Sequence, residues 1–148
     1  MQVKLSLGVF CGSELGNNPS FKNSAADLGQ SMAEQGIRLV YGGGNIGLMG
    51  EIARASLAKG GNVVGVIPKL LVDKEMALAD CTELKVTGSM HERKEMMYRL
   101  SDAFVVLPGG LGTLDEMFEA LTWNRLGIHD KPLFLLNTSG FYDQIRTH

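Results

Sequence analysis

Two short stretches carry residue types that could act on a ligand. LPGGLGTLDEMFE, residues 107–119, packs Gly109, Gly110 and Gly112 behind Pro108, and Thr113, Asp115 and Glu116 follow almost at once. GSMHERKEM, residues 88–96, holds Arg93 and Lys94. Glycines let a backbone come close to an anion, and a helix N-terminus adds unpaired N–H groups and a partial positive charge. Arginine suits bidentate recognition of phosphate or carboxylate. A carboxylate beside such a cradle can stabilise positive charge or activate water.

Helical geometry places the two charged residues. Along HERKEMMYRLSD, Met96, Met97 and Leu100 all fall within about 60° of Arg93 on a helical projection. Arg93 therefore lies in the middle of an apolar stripe, while Lys94, Glu95 and Arg99 lie off it. A guanidinium on a buried face needs partners, because an unpaired buried charge is costly. The bland reading is escape to solvent along its alkyl stem. In TLDEMFEALTWNRL, residues Leu114, Met117, Phe118 and Leu121 form one stripe and Glu116 points nearly opposite, on the side of Ala120 and Trp123. Trp123 on that side implies a second buried surface, read as a symmetric subunit contact. Glu116 is then either at the edge of an apolar site or a solvated first-turn glutamate favoured by the helix dipole.

A second glycine loop, YGGGNIGLMG, contains a formal GxGxxG at Gly42, Gly44 and Gly47. The dinucleotide fingerprint is only half present. The loop follows the second strand, not the first, and the next strand ends in Pro68 where an acidic ribose-binding residue is wanted. Anion binding remains the functional reading of this loop and a ligand-free tight turn the bland one. Neither loop matches GxxxxGK[ST], which disfavours a P-loop kinase or ATPase.

The elements that must position these residues alternate along the chain. VKLSLGVF reads as a strand. A helix follows from Pro19 to near Gly36, with Phe21, Ala25, Leu28 and Met32 at helical spacing. IRLVY is a second strand, residues 47–59 a helix, NVVGVI a third strand and TELKVT a fourth. Residues 69–82 read as a short helix and loop. HERKEMMYRLSD is a helix, AFVVLP a strand, TLDEMFEALTWNRL a helix and PLFLL a last strand. Continuously apolar strands joined by helical crossovers imply a parallel sheet covered on both faces. The fold expected is one doubly wound, Rossmann-like α/β domain over residues 1–148. Both glycine loops leave carboxyl ends of strands, so Ser13, Gly43, Gly44 and residues 109–113 should face one crevice. The chain stops at GFYDQIRTH, where a further helix is expected.

Composition bounds the classes. The chain has 148 residues, enough for one domain with a sizeable core. Its net charge of −2, with mixed signs, gives no basic stripe for nucleic acid. No apolar run approaches the roughly 18 residues of a membrane span. The N-terminal alternation of Val3, Leu5, Leu7 and Val9 reads as strand, not signal peptide, so the cytoplasm is the default compartment. Cys11 and Cys81 form no CxxC pair and read as inert thiols. The three histidines have no ligand spacing, so no metal is expected.

GSMHERKEM and PGGLGTLDE resemble the paired MHxRK and PGGxGTxxE signatures of the LONELY GUY family, cytokinin riboside 5′-monophosphate phosphoribohydrolases often labelled "lysine decarboxylase" in bacteria. YGGGNIGLMG, LTWNRLGIHDKP and LLNTSGFYD also look like the family's, and the similarity spans essentially the whole chain. The resemblance implies hydrolysis of the N-glycosidic bond of a nucleoside 5′-monophosphate, giving free base and ribose 5-phosphate. It implies Arg93 and Glu116 as catalytic residues. Substrate contacts would be Glu75, Arg93, Lys94, Gly110, Leu111, Gly112, Thr113, Leu114, Asp115, Glu116 and Thr122. It implies a dimer or larger homo-oligomer with no metal or organic cofactor. Met49 and Met90 could line a pocket for a prenyl tail, although methionines so placed are more often core. The alternative is a non-catalytic module that binds AMP-type nucleotides. A lysine decarboxylase would need a Schiff-base lysine for pyridoxal phosphate, and Lys94 on a charged helix flank does not suit that role.

Overall fold

The computed structural model describes residues 2–12, 19–107 and 131–136. Six parallel strands form one sheet: β1 Leu5–Phe10, β2 Ile37–Tyr41, β3 Val63–Pro68, β4 Glu83–Thr87, β5 Ala103–Val106 and β6 Leu133–Leu135. Their spatial order is β4-β3-β2-β1-β5-β6. Helices α1 Pro19–Glu34, α2 Gly47–Ala58 and α3 Met90–Leu100 supply crossovers. This is the doubly wound Rossmann-like arrangement expected of the alternating pattern.

The apolar runs are continuous because successive residues serve opposite faces and both faces are covered. Val9, Leu39, Tyr41 and Val63 pack on one face with Ala25 and Met32 of α1 and Leu48, Met49, Ile52 and Ala53 of α2. Phe10, Val40, Val64, Val66, Phe104 and Val106 pack on the other, under Met97 and Tyr98 of α3. There Phe10 stacks on Phe104 at 5.4 Å, and Tyr98 meets Phe104 edge-on at 5.3 Å. At the amino ends, Ser6 N–H donates to Asp102 Oδ2 and Asp102 N–H to Ser6 O, each at 2.8 Å, tying β1 to β5.

The strand order reverses at β1, so β1 and β5 flank the switch point where open α/β sheets bind ligands. Leu107 leaves β5 fully buried and donates its N–H to Phe10 O at 2.9 Å, so both chains exit side by side. Met49 N–H donates to Gly12 O at 3.3 Å, joining the exit of β1 to the first turn of α2.

Two local boundaries shift, and residues 69–82 take the short helix and loop expected of them. Strand β3 begins at Val63 and includes Pro68, paired with Thr87, rather than spanning NVVGVI as expected; a proline at a strand terminus forfeits little of the ladder. Residues 69–82 hold one 3-10 turn, Lys69–Leu71, followed by turns. Helix α3 starts at Met90. The helix expected from Thr113, with Trp123 on it, lies outside the described residues.

Helices α1 and α2 pack closely at Gly29. A Cβ there would overlap the carbonyl oxygen of Ile52, which belongs to backbone and cannot swing away. Gly29→Ala should lower the unfolding free energy by about 1–3 kcal/mol, as overpacking does. Urea denaturation checks this, and an unchanged midpoint would contradict the packing described.

Candidate active site

The site is built from the end of one strand ladder. Strands β2 and β3 pair through Leu39, Val40 and Tyr41 against Val63, Val64 and Gly65, and the pairing stops there. The next carbonyls, those of Gly42 and Val66, both accept from Arg93. Its Nε donates to Val66 O at 2.9 Å and its Nη2 to Gly42 O at 2.6 Å. Nη2 also reaches Glu75 Oε1 at 3.3 Å. Arg93 is 5% exposed. The arginine in the apolar stripe therefore does not escape to solvent; it is buried against backbone acceptors and one half-buried carboxylate, as a desolvated charge requires. Nε and Nη2 are committed, whereas Nη1 has no hydrogen-bond partner among the described residues. Among the described residues the arrangement presents a fixed cation whose Nη1 donors are open, suited to an oxyanion or a leaving base.

Helix α3 is fixed at its first turn. Ser89 Oγ accepts from Glu92 N–H at 3.1 Å, and Glu92 Oε2 accepts from Gly88 N–H at 2.9 Å. The serine satisfies one of the donors that a helix start leaves open, and the glutamate ties the preceding Gly88 to the first turn. The Ser-x-x-Glu spacing is its signal in the sequence, which sequence reasoning passed over. Arg93 follows one turn into the helix. Met90, the first helical residue, is exposed, and Lys94 is half-buried.

Residues 71–78 fold over the exit of β2. Asn45 N–H donates to Glu75 O at 3.1 Å, Leu78 N–H donates to Gly43 O at 2.9 Å, and Gly44 forms an isolated antiparallel bridge with Ala77. Glu75 N–H donates to Leu71 O at 2.8 Å, and Met76 takes a left-handed φ of 51° to turn the chain back. Beneath, Tyr41 OH donates to Gly44 O at 2.8 Å. Burial, with the neighbouring Cys81 second, holds that phenol far above its ordinary pKa, so it stays a donor. Burial also raises the Cys81 thiol, which lies 3.7 Å from Tyr41 OH.

The glycines of YGGGNIGLMG thus serve the protein's own packing first. A Cβ on Gly42 would overlap Arg93 Nη2, and one on Gly44 would lie 2.9 Å from both Glu75 O and Met49 Cε. Gly43 and Gly44 are buried, and their carbonyls are taken by Leu78 and Tyr41. Met49 is core. Of the residues singled out from the sequence, the fold brings together Arg93, Glu75 and the Gly42–Gly44 loop. Ser13, Gly109, Gly110, Leu111, Gly112, Thr113, Leu114, Asp115, Glu116 and Thr122 lie outside the described residues. Sequence reasoning missed the carbonyls of Gly42 and Val66, since main-chain acceptors leave no signature in residue type. Among the described residues no group of three or more His, Cys, Asp or Glu could hold a metal ion, and no helix is long and apolar enough to cross a membrane.

A doubly wound parallel sheet with a caged arginine at the carboxyl ends of its strands defines a Rossmann-like protein with an anion-ready edge. A family model described as "Possible lysine decarboxylase" matches residues 49–148. A probable cytokinin riboside 5′-monophosphate phosphoribohydrolase of Oryza sativa subsp. japonica is 53% identical over 137 residues, 93% of this chain and 61% of that protein. A cytokinin riboside 5′-monophosphate phosphoribohydrolase of Arabidopsis thaliana is 50% identical over 137 residues, 93% of this chain and 64% of that protein. The Moco carrier protein of Chlamydomonas reinhardtii superposes with a TM-score of 0.77 at 26% identity, over 97% of this chain and 83% of that one. The chain belongs to the family of the "Possible lysine decarboxylase" model and to the LONELY GUY family. It spans 61% and 64% of the length of these two curated relatives.

Ser89→Ala should remove the cap of α3 and cost about 1 kcal/mol of stability. Chemical denaturation measures it, and an unaffected midpoint would show the cap to be idle.

Proposed function

We propose that the protein hydrolyses the N-glycosidic bond of a nucleoside 5′-monophosphate, a cytokinin riboside 5′-monophosphate or AMP, to free base and ribose 5-phosphate. The observation that carries this reading is the buried Arg93 with Nη1 uncommitted among the described residues, at the carboxyl end of the β2–β3 ladder in a nucleotide-binding type of sheet. The relatives' names as phosphoribohydrolases agree with it.

Water is added across the bond: its hydroxyl goes to the anomeric carbon and its proton to the base. The transition state is oxocarbenium-like, so a carboxylate beside the sugar lowers its energy. Glu116 takes that role, holding the ribose hydroxyls and steering water. Arg93 stabilises either the departing base or the phosphate. The glycines at 109, 110 and 112, with the helix expected from Thr113, would receive the 5′-phosphate through backbone N–H groups. Ser13, Gly43, Gly44, Glu75, Met90, Lys94 and Thr122 border the ligand. Hydrolysis of this kind calls for no electron-sink cofactor. The protein acts in the cytoplasm as a homodimer, with the face bearing Trp123 as the subunit contact.

A second reading has its own support: a structural neighbour at 26% identity is a carrier protein. On that reading the chain binds an AMP-type nucleotide without cleaving it. Incubation with AMP and with N6-prenylated AMP, followed by chromatography, separates the two. We expect free base and ribose 5-phosphate in equal amounts, and a loss of at least about 100-fold in kcat for Glu116→Gln. Nucleotide recovered intact after binding would favour the carrier, and full turnover by the variant would remove Glu116 from the mechanism.

A further inference from the structure

We propose that Gly42 is a positioning residue for Arg93: its carbonyl anchors Nη2, and its missing side chain is the space the guanidinium occupies. This rests on the reading above that Arg93 meets the substrate, although the packing itself does not.

Two features single out Gly42 from the other glycines of its loop. Its backbone, like that of Gly44, is not left-handed, whereas Gly43 and Gly47 have φ of 81° and 59°; a Cβ on Gly44 would press on the backbone oxygen of Glu75 instead. Alanine at 42 therefore meets no backbone strain. The neighbour that a Cβ would overlap is Nη2 of Arg93, with Met49 Sδ next at 3.1 Å and Arg93 Cζ at 3.2 Å. Methionine is flexible and can yield by a few tenths of an ångström. The guanidinium cannot yield without leaving an acceptor, because Nε is bonded to Val66 O and Nη2 to Gly42 O and Glu75 Oε1. The cost of alanine at 42 falls on the placement of one side chain.

The consequence for chemistry follows from geometry. A group that acts on a developing charge must be held within a fraction of an ångström, and a displacement of about 1 Å can cost about 100-fold in rate. Gly42 touches no substrate; it acts through Arg93 alone. Arg93→Ala removes the atom with which a Cβ at 42 would collide, so the two substitutions should not add.

The test is a double-mutant cycle of Gly42→Ala and Arg93→Ala, read in three ways. Folding stability is measured by urea denaturation, kcat/KM with prenylated AMP, and the Nε–H resonance of Arg93 by NMR on labelled protein without ligand. We expect Gly42→Ala alone to shift or broaden the Nε–H signal, lower stability and reduce kcat/KM roughly 100-fold. In the Arg93→Ala background the same substitution should change stability and residual kcat/KM by less than about 2-fold in the corresponding constants. If Gly42→Ala fails to fold, recovery of folding by the double variant supports the proposal, and failure of both overturns it. An unmoved Nε–H signal, or equal losses in the two backgrounds, also overturns it. Absent turnover of any nucleotide by the wild-type protein sinks the enzymatic reading but leaves the resonance and the stability cycle to decide the role of Gly42.

Discussion

A guanidinium caps the end of the β2–β3 ladder, and the surrounding architecture is arranged to let it. Where Tyr41 and Gly65 close the pairing, the next two carbonyls turn to Arg93 instead of to each other's strand. Taking a cation out of water costs several kcal/mol, offset only when its donors are well placed. Here two neutral carbonyls and the carboxylate of Glu75 share that task. Removing any one leaves a buried polar group poorly served. The arrangement explains why a serine cap fixes the start of α3, why glycine stands at 42, and why residues 71–78 fold back over the loop: each sets the position of one of the partners.

The sheet supplies the address. Strand order reverses between β1 and β5, and their chains exit together at the carboxyl edge, with Leu107 bonded to Phe10. Arg93 approaches the same edge from α3, on the face carrying Phe10, Tyr98 and Phe104. Two dense layers, one under α1 and α2 and one under α3, hold that edge rigid on both sides. A charged side chain supported this way keeps its geometry before any ligand arrives, which is the preorganisation electrostatic catalysis needs.

The legible part of this design was whatever repeats with a period. The strands could be read because burial on both faces makes them continuously apolar. The burial of Arg93 could be read because Met96, Met97 and Leu100 flank it at helical spacing. What could not be read is whatever depends on main-chain partners brought from elsewhere. The Gly42–Gly44 run resembled a phosphate loop, but its glycines are needed first for Arg93, Glu75 and Met49 to pack against it. Residues 69–82 have no period because their form is set by pairing with Gly43 and Asn45 and by a left-handed residue, Met76, that no side-chain preference announces. The second half of the proposed site, from Gly109 to Thr122, was argued from resemblance and from helix geometry, and lies outside the described residues.

The most direct measurement is a crystal structure of the Glu116→Gln protein with AMP bound. The account predicts Nη1 of Arg93 within about 3.2 Å of a phosphate oxygen or base nitrogen. Nε and Nη2 should remain on the carbonyls of Val66 and Gly42, with residue 116 beside the same ribose. A nucleotide seated away from the carboxyl edge, or an Arg93 that abandons both carbonyls to reach it, would contradict the account.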